Sequence, residues 1–328
     1  MKKILKKYSL AAALMATLCL LPASCITDDA PAPTEKAAVT MTFRTRVVTT
    51  RTTEPAADNE QMKTLRVIMA KKNSKGTEEG DILHNVYYDN LSGGSKTVTL
   101  SDIPVAGKGT EYDFYAIANE AVLAGAVSLE GETLNLADLK EKIIETDFNQ
   151  SLDNGLPQAY FRSYIVLPNQ SQSFDMQLLF PVAKVRVKFV NDTDQTQVLN
   201  DIKMPRANPG KGYLFAQQDF GLPTFSVSRY SDLLLSSTTL SIASKGDSEQ
   251  LVGYLYPGTI DTGYVLVADW QNVGEQTLEI EDSAGAKLIN LEAGQCLDIV
   301  ITLTGPKDTQ LQWSVGDWNN VNIDVPFE

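Results

Sequence analysis

Few residues of this sequence could carry covalent or metal chemistry. Its 328 residues include a single His, His84, and three Cys: Cys19, Cys25 and Cys296. One imidazole excludes zinc sites that need several His ligands, and a hydrolase triad would have to use His84, near which no nucleophile motif occurs. The acidic residues are too numerous for a carboxylate pair to indicate a glycosidase, although such a pair is not excluded. We therefore expect no enzyme, no metal site and no cofactor.

Cys25 stands where a lipid-carrying thiol is found in exported bacterial proteins. Four lysines within the first seven residues precede an apolar run over residues 9–21, which is too short to cross a bilayer. The small residues that follow resemble a bacterial lipoprotein signal, with cleavage between Ser24 and Cys25 and addition of diacylglycerol and palmitate to Cys25. Asp28 and Asp29 then resemble the acidic stretch of Bacteroidetes surface lipoproteins. An ordinary secretory signal is the alternative.

The charge balance excludes a nucleic-acid partner. The chain has 28 Lys and Arg against 41 Asp and Glu, a net charge of −13, and phosphate binding needs clustered basic residues. Loss of residues 1–24 removes four Lys and no acids, so the exported chain carries about −17 by the same counting rule. Cys296 is then the one unmodified Cys, so no internal disulfide can form. We expect its thiol to be buried as a small hydrophobe.

The elements that must position these residues are mostly strands. Apolar and polar residues alternate in many short runs separated by Gly- and Pro-containing turns. The predicted strands include residues 39–43, 65–69, 112–116, 174–180, 185–189, 251–256, 264–270, 278–280 and 297–303. One helix is predicted over about residues 136–145, with Asn135 as its N-cap. The pattern predicts a mainly all-β chain with two antiparallel β-sandwich domains and a short helix in the first.

Two segments near the ends of the sequence are not explained by ordinary folding. The first predicted strand is followed by a polar linker, residues 49–55, whose Arg51 is suited to a trypsin-like protease. The last residues form another alternating run, in which the four apolar residues are Val321, Ile323, Val325 and Phe327. Such a strand must be buried in a groove, either as the last strand of its own domain or by addition to a neighbouring subunit.

Seven short motifs in this order resemble a known family. They lie at residues 38–43, 50–53, 63–69, 115–119, 181–187, 297–306 and 315–318. In these motifs the chain resembles the FimA-type fimbrillins of the Bacteroidetes, which are lipoprotein precursors of fimbrial subunits. The resemblance implies two transthyretin-like, Greek-key sandwiches. It divides the chain into a signal peptide (1–24), a tether and first strand removed on maturation (25–51), an N-terminal sandwich (52–175) and a C-terminal sandwich ending in a donor strand (176–328).

The resemblance also implies a mechanism of assembly. The precursor reaches the cell surface on a transient outer-membrane lipid anchor, and an Arg-specific surface protease cuts between Arg51 and Thr52, or less favourably after Arg46. The displaced strand, with Val39, Met41 and Phe43, then leaves a groove. The donor strand of an adjoining fimbrial subunit, in a homopolymer or a heteropolymer, fills it with Val321, Ile323, Val325 and Phe327. Arg44 is a further possible cleavage site.

Two other functions are kept as alternatives. A glycan-binding surface lipoprotein would use Trp270 and the pair Trp313 and Trp318 as a stacking platform, but their sequence context favours core positions for at least two of them. A fimbrial anchor subunit would keep its lipid on Cys25. The sequence does not distinguish shaft, tip and anchor subunits and does not identify an adhesion target.

Overall fold

The computed structural model describes residues 35–45, 57–72, 80–123, 129–130, 134–149, 152–222, 230–282, 284–305 and 309–317. The N-terminal half contains eight strands and one short helix. They are β1 (Glu35–Thr45), β2 (Leu65–Lys71), β3 (Ile82–Tyr88), β4 (Ser95–Val105), β5 (Thr110–Ala118), α1 (Leu136–Lys140), β6 (Ile143–Ile144), β7 (Gln158–Val166) and β8 (Ser171–Leu178). Two 3₁₀ turns, Asp58–Glu60 and Glu120–Val122, precede β2 and follow β5.

The C-terminal half contains the remaining thirteen strands of the described chain. They are β9 (Ala183–Asn191), β10 (Gln197–Asn208), β11 (Gly212–Tyr213), β12 (Ser231–Ser236), β13 (Leu240–Ile242), β14 (Gly246–Asp247), β15 (Leu251–Leu255), β16 (Gly258–Thr259), β17 (Val265–Trp270), β18 (Gly274–Glu279), β19 (Asn290–Leu291), β20 (Gln295–Leu303) and β21 (Thr309–Asp317). The fold is therefore mainly β, as the alternating sequence pattern predicts.

Each half is a sandwich of two sheets. In the N-terminal half, a three-stranded sheet of order β4-β1-β8 packs on a four-stranded sheet of order β3-β2-β5-β7. In the C-terminal half, the sheet β14-β9-β20-β21, with β15 also on β9, packs on the sheet β12-β10-β17-β18, with β13 on β10. Most ladders are antiparallel, but β1 runs parallel to β8 and β9 runs parallel to β20.

A third apolar cluster joins the two halves. It combines Ile68 and Tyr115 from the N-terminal half with Tyr254 and Cys296 from the C-terminal half, all of which are buried. The two-residue strands β6 and β11 pair across the same region. The halves thus pack together through this shared cluster, and strand β8 extends to Leu178 before a short connection leads to β9.

The predicted helix is shorter than expected. Asn135 does cap it, since its side-chain Oδ1 accepts a hydrogen bond from the Ala137 backbone N–H at 2.9 Å. The helix ends at Lys140, however, and Ile143 and Ile144 form strand β6 instead. β-branched residues suit a strand, and the backbone of these two residues pairs with β11. The prediction of helix over 141–145 is therefore wrong.

The groove of the first strand

Strand β1 is the central strand of its sheet. It pairs antiparallel with β4, in register from Glu35 opposite Val105 to Arg44 opposite Ser95, with one irregularity between Ala37 and Val39. On its other side it pairs in parallel with β8, from Ala38 to Thr45. Because both edges are paired, the backbone donors and acceptors of β1 are used on both sides.

The inward face of β1 is fully buried. Val39, Met41 and Phe43 have no exposed surface, and Ala37 and Thr45 on the same face are also buried. Burial of a large apolar side chain contributes roughly 1.5–3 kcal/mol, so the three large residues contribute about 5–9 kcal/mol before entropy is considered. The apolar residues of the alternating pattern that predicted this strand therefore form its buried face.

We name the space that β1 occupies the strand-1 groove. Its floor comes from the facing sheet and its walls from the two neighbours of β1. The lining residues are Met62, Leu65, Val67, Met69, Tyr112, Phe114 and Ala116 on the floor, Val98, Leu100 and Ile103 from β4, and Met176 and Leu178 from β8. All of them are apolar or aromatic, so the groove selects an occupant by alternating apolar side chains and backbone hydrogen bonds.

The outward face of β1 makes only solvent-exposed polar contacts with its neighbours. The Lys36 Nζ lies 2.8 Å from Asp102 Oδ1, and the Arg44 guanidinium lies 3.6 Å from Asp175 Oδ1. The hydrogen bond and charge of each partner raise the pKa of Lys36 and lower that of Asp102. Both groups are fully exposed, so water and salt screen this attraction.

Threonine pairs complete this outward face. Thr40 Oγ1 lies 3.3 Å from Thr99 Oγ1, and Thr42 Oγ1 lies 3.2 Å from Thr97 Oγ1. Cross-strand Thr pairs of this type contribute a fraction of a kcal/mol each. The outer face therefore fixes the register of β1 without a buried polar group.

Departure of β1 would leave its two neighbours without a common strand. Within the described residues, the only strand ladder of β4 is with β1, and β8 otherwise makes contact with β7 through the Ala159–Leu179 bridge just beyond its end. The vacated site would present two free edges and an apolar floor. Such an arrangement binds another strand readily.

Several predicted site residues lie outside the described residues. These are the lipidation and signal-cleavage residues Ser24 and Cys25, the maturation-cleavage residues Arg46, Arg51 and Thr52, and the donor-strand residues Val321, Ile323, Val325 and Phe327. Of the predicted sites, the structure places only the displaced strand with Val39, Met41 and Phe43, together with Arg44, which lies inside β1.

The sequence predicted a strand over residues 174–180, which overlaps the wall strand β8, but it did not identify β4 or the pairing of either wall with β1. Strand β4 carries an alternation of Thr97, Val98, Thr99 and Leu100 that could have indicated it, because only Val98 and Leu100 are buried. The parallel pairing with β8 joins segments more than a hundred residues apart, and no local pattern reports it.

The placement of Trp270 argues against the alternative of a glycan platform that includes it. Trp270 is buried in the C-terminal core, as its place at the end of an apolar run indicated. The half-buried Trp313 donates its indole N–H to the Glu281 carbonyl oxygen at 2.7 Å, and Trp318 lies outside the described residues. A buried ring cannot stack on a sugar, so Trp270 at least is not part of such a platform.

The two residues with reactive side chains are also placed. Cys296 is buried as predicted, and burial raises the pKa of its thiol to about 12. His84 lies within strand β3 opposite Met69, and burial lowers its pKa. In the described part of the chain no cluster of three metal-ligating side chains was found, and no helix there is long and apolar enough to cross a membrane.

Comparison with solved structures defines the fold class. The tip fimbrial protein Mfa3 of Porphyromonas gingivalis, with a C-terminal truncation, matches with a TM-score of 0.59 at 14% identity, covering 86% of this chain and 100% of that one. A proposed cell adhesion protein of Bacteroides eggerthii gives 0.52 at 15% identity (87% and 97% covered), and one of Parabacteroides distasonis gives 0.51 at 13% (87% and 98% covered).

These similarities show that the chain has the β-sandwich fold of bacterial fimbrial and cell adhesion proteins. No protein-family model and no curated protein matches the sequence. The narrower resemblance to FimA-type fimbrillins stays a prediction.

Proposed function

We propose that this protein is a structural subunit of a surface fimbria that polymerises by protease-triggered donor-strand exchange and contributes to adhesion. The observation that carries the proposal is the position of β1. It is a central strand with a buried inner face, yet among the described residues its sheet contains only two other strands, and its outer contacts are all solvent-exposed. A strand that completes a sandwich in this way can be replaced by another strand with the same alternation.

The precursor, in this account, is a lipoprotein held in the outer membrane through Cys25. Signal cleavage between Ser24 and Cys25 precedes the attachment of lipid. An Arg-specific surface protease then cuts the connection that follows β1, and the lipid anchor leaves with the strand. The mature subunit starts at Thr52 and enters the fimbria, where its partners are other fimbrial subunits.

The pairing of β1 favours cleavage after Arg51 or Arg46 over cleavage after Arg44. Arg44 is paired with Ser95 on one side and Gln177 on the other. A protease needs an accessible, extended backbone, and a residue in a two-sided ladder does not offer one. Cleavage after Arg44 would also leave Thr45, a buried residue of β1, in the groove.

The proposed replacement for β1 is the segment 319–328 of a neighbouring subunit. Its apolar residues Val321, Ile323, Val325 and Phe327 alternate with polar ones, as Val39, Met41 and Phe43 do in β1. An aromatic residue stands near the end of each run. The covalent cut makes the exchange irreversible, because the released peptide diffuses away from the fibre.

Digestion of the purified precursor by an Arg-specific protease tests the cleavage step. We expect the Arg51→Ala variant to stay a monomeric precursor, whereas the matched Arg46→Ala variant is cut and polymerises as the wild type does. The readouts are the intact mass of the products and their size by gel filtration. Efficient polymerisation of the Arg51→Ala variant would refute the assignment of Arg51.

A truncation tests the donor segment separately. A chain that lacks residues 319–328 should be cleaved normally and accept a donor strand from the full-length protein, but it should not polymerise alone. Mixed with full-length subunits, it should shorten the polymers in proportion to its share. Normal polymerisation of the truncated chain by itself would show that the donor is another segment.

A further inference from the structure

A buried ion pair connects the segment after the first strand to the C-terminal half. Glu60, in the 3₁₀ turn before β2, accepts a hydrogen bond from Lys184 Nζ of β9 and another from the Tyr254 hydroxyl of β15 at 2.9 Å. The side chains of Glu60 and Lys184 are only 7% and 10% exposed. Burial raises the pKa of Tyr254, and the nearby Glu60 carboxylate raises it further.

The backbone around Glu60 is held just as firmly on its other side. We name the segment from Ala57 to Thr64 the junction strap. The side chain of the fully buried Asn119 accepts hydrogen bonds from the backbone N–H groups of Lys63 at 2.8 Å and Thr64 at 3.2 Å, and it donates to the Gln61 carbonyl at 2.9 Å.

Strand β7 and the loop before it hold the same segment from a second direction. The Leu156 N–H donates to the Asn59 carbonyl at 2.7 Å, and the Gln158 side chain donates to the Glu60 carbonyl at 3.0 Å. The strap is therefore attached to both halves within a few residues.

The same strap reaches the strand-1 groove. Met62 is fully buried in the apolar cluster that contains Val39, Met41 and Phe43 of β1. Glu60, two residues earlier, belongs to the junction between the halves. Removal of β1 would thus take packing partners from Met62 at one end of the strap while leaving the ion pair of Glu60 intact.

We propose that the junction strap is a latch that prevents the subunit from unravelling while the groove is empty, an inference that rests on the proposed function. After cleavage at Arg51 the strap lies within a few residues of the new chain end, and it leads directly into β2, which forms part of the groove floor. New chain ends fray unless tied down. Glu60 holds this segment on the C-terminal half, because opening the strap would break the buried ion pair between Glu60 and Lys184.

Hydrogen exchange on the full chain, followed by mass spectrometry, tests the latch before and after Arg-specific cleavage. The variants are Glu60→Gln and the milder Tyr254→Phe. The control is Lys188→Met, which removes the exposed ion pair with Asp247 from the same strand β9. We expect Glu60→Gln to accelerate exchange in the strap and β2 at least about a hundredfold after cleavage, and Tyr254→Phe about tenfold. Lys188→Met should behave as wild type.

The latch would be refuted if Tyr254→Phe left the rate of hydrogen exchange in the strap unchanged. It would also be refuted if Lys188→Met accelerated this exchange as much as the junction variants do. Both outcomes can be read even if Glu60→Gln fails to fold. Alkylation of Cys296, which is buried beside Lys184 in the junction, gives a second readout, and the latch predicts faster alkylation in Glu60→Gln. If cleavage of the wild type leaves β1 bound, the proposed function fails. In that case the uncleaved proteins still test the latch, because hydrogen exchange in the strap must be faster in uncleaved Glu60→Gln than in the uncleaved wild type.

Discussion

The first strands of the two sandwiches occupy equivalent places. β1 pairs antiparallel with β4 and parallel with β8, the last strand of its half. β9 pairs antiparallel with β14 and β15 and parallel with β20, near the end of the other half. In both, alternate residues fill the core of the sandwich, with Val39, Met41 and Phe43 in one and Val185, Val187 and Phe189 in the other.

The two strands differ in their polar contacts. The ion pairs of β1 are exposed, so its departure leaves no buried charge behind. β9 carries Lys184, which is paired with Glu60. It also carries Arg186, whose guanidinium forms a bidentate ion pair with the buried Asp298. Removal of one partner of a buried ion pair is strongly destabilising. The same topology therefore holds one strand whose ion pairs are exposed, which we propose is exchanged, and one strand held by two buried ion pairs.

The largest expected effect comes from a charge placed in each core. Phe189→Asp should prevent the C-terminal half from folding, because a carboxylate in a fixed strand has no route to solvent. Phe43→Asp should instead expel β1 and leave a folded C-terminal half. Limited proteolysis with peptide mapping checks both variants. A Phe43→Asp protein that loses its C-terminal half as completely as Phe189→Asp would contradict the distinction.

Replacement of an arginine in each strand should likewise cost more unfolding free energy in β9 than in β1. Arg186→Met leaves Asp298 buried without its partner and should cost about 3–5 kcal/mol of unfolding free energy. Arg44→Met removes an exposed contact and should stay within about 0.5 kcal/mol. Denaturant titration measures both, and equal losses would show that β1 is held as tightly as β9.

Cysteines on the outer face of β1 and in the junction between the halves should be alkylated at very different rates. The Cys296 thiol, with a pKa of about 12, is almost wholly protonated at pH 8, and only the thiolate is alkylated. A cysteine introduced by Thr42→Cys on the outer face of β1 should react at least about a thousandfold faster. Peptide mass spectrometry after timed iodoacetamide treatment measures both sites, and comparable rates would mean that the junction opens readily.

The smallest effect is expected at the exposed pair of Lys36 and Asp102. The lowered pKa of Asp102 makes its contribution present above the ordinary carboxyl range and lost as the pH falls through it. The raised pKa of Lys36 makes its contribution present at neutral pH and lost in strong base. Asp102→Asn should therefore lower the melting temperature slightly at pH 7 in low salt, and the difference from the wild type should shrink as the pH falls below the ordinary carboxyl pKa of 3.8. A large decrease in melting temperature that does not depend on salt would show that this ion pair contributes strongly to holding β1 in the sheet.

The sequence predicts local features well and pairings poorly. Alternation located β1 and β9, and the apolar context of Cys296 and Trp270 indicated their burial. The end of α1 was missed because Ile143 and Ile144 pair with β11, some seventy residues away. Glu60 and Lys184 are 124 residues apart, so no local pattern could join them. Contacts of this kind depend on tertiary packing.

A reversible bond between β1 and β4 tests the exchange of β1 most directly. Thr42 and Thr97 face each other across the antiparallel ladder with their Oγ1 atoms 3.2 Å apart, so cysteines at these two positions would lie side by side. In the variant Thr42→Cys with Thr97→Cys, protease digestion under oxidising conditions should give monomers that retain the 25–51 peptide. Reduction should then release the peptide and start polymerisation. Equal polymerisation of the oxidised and reduced forms would contradict the proposal that β1 must leave its groove.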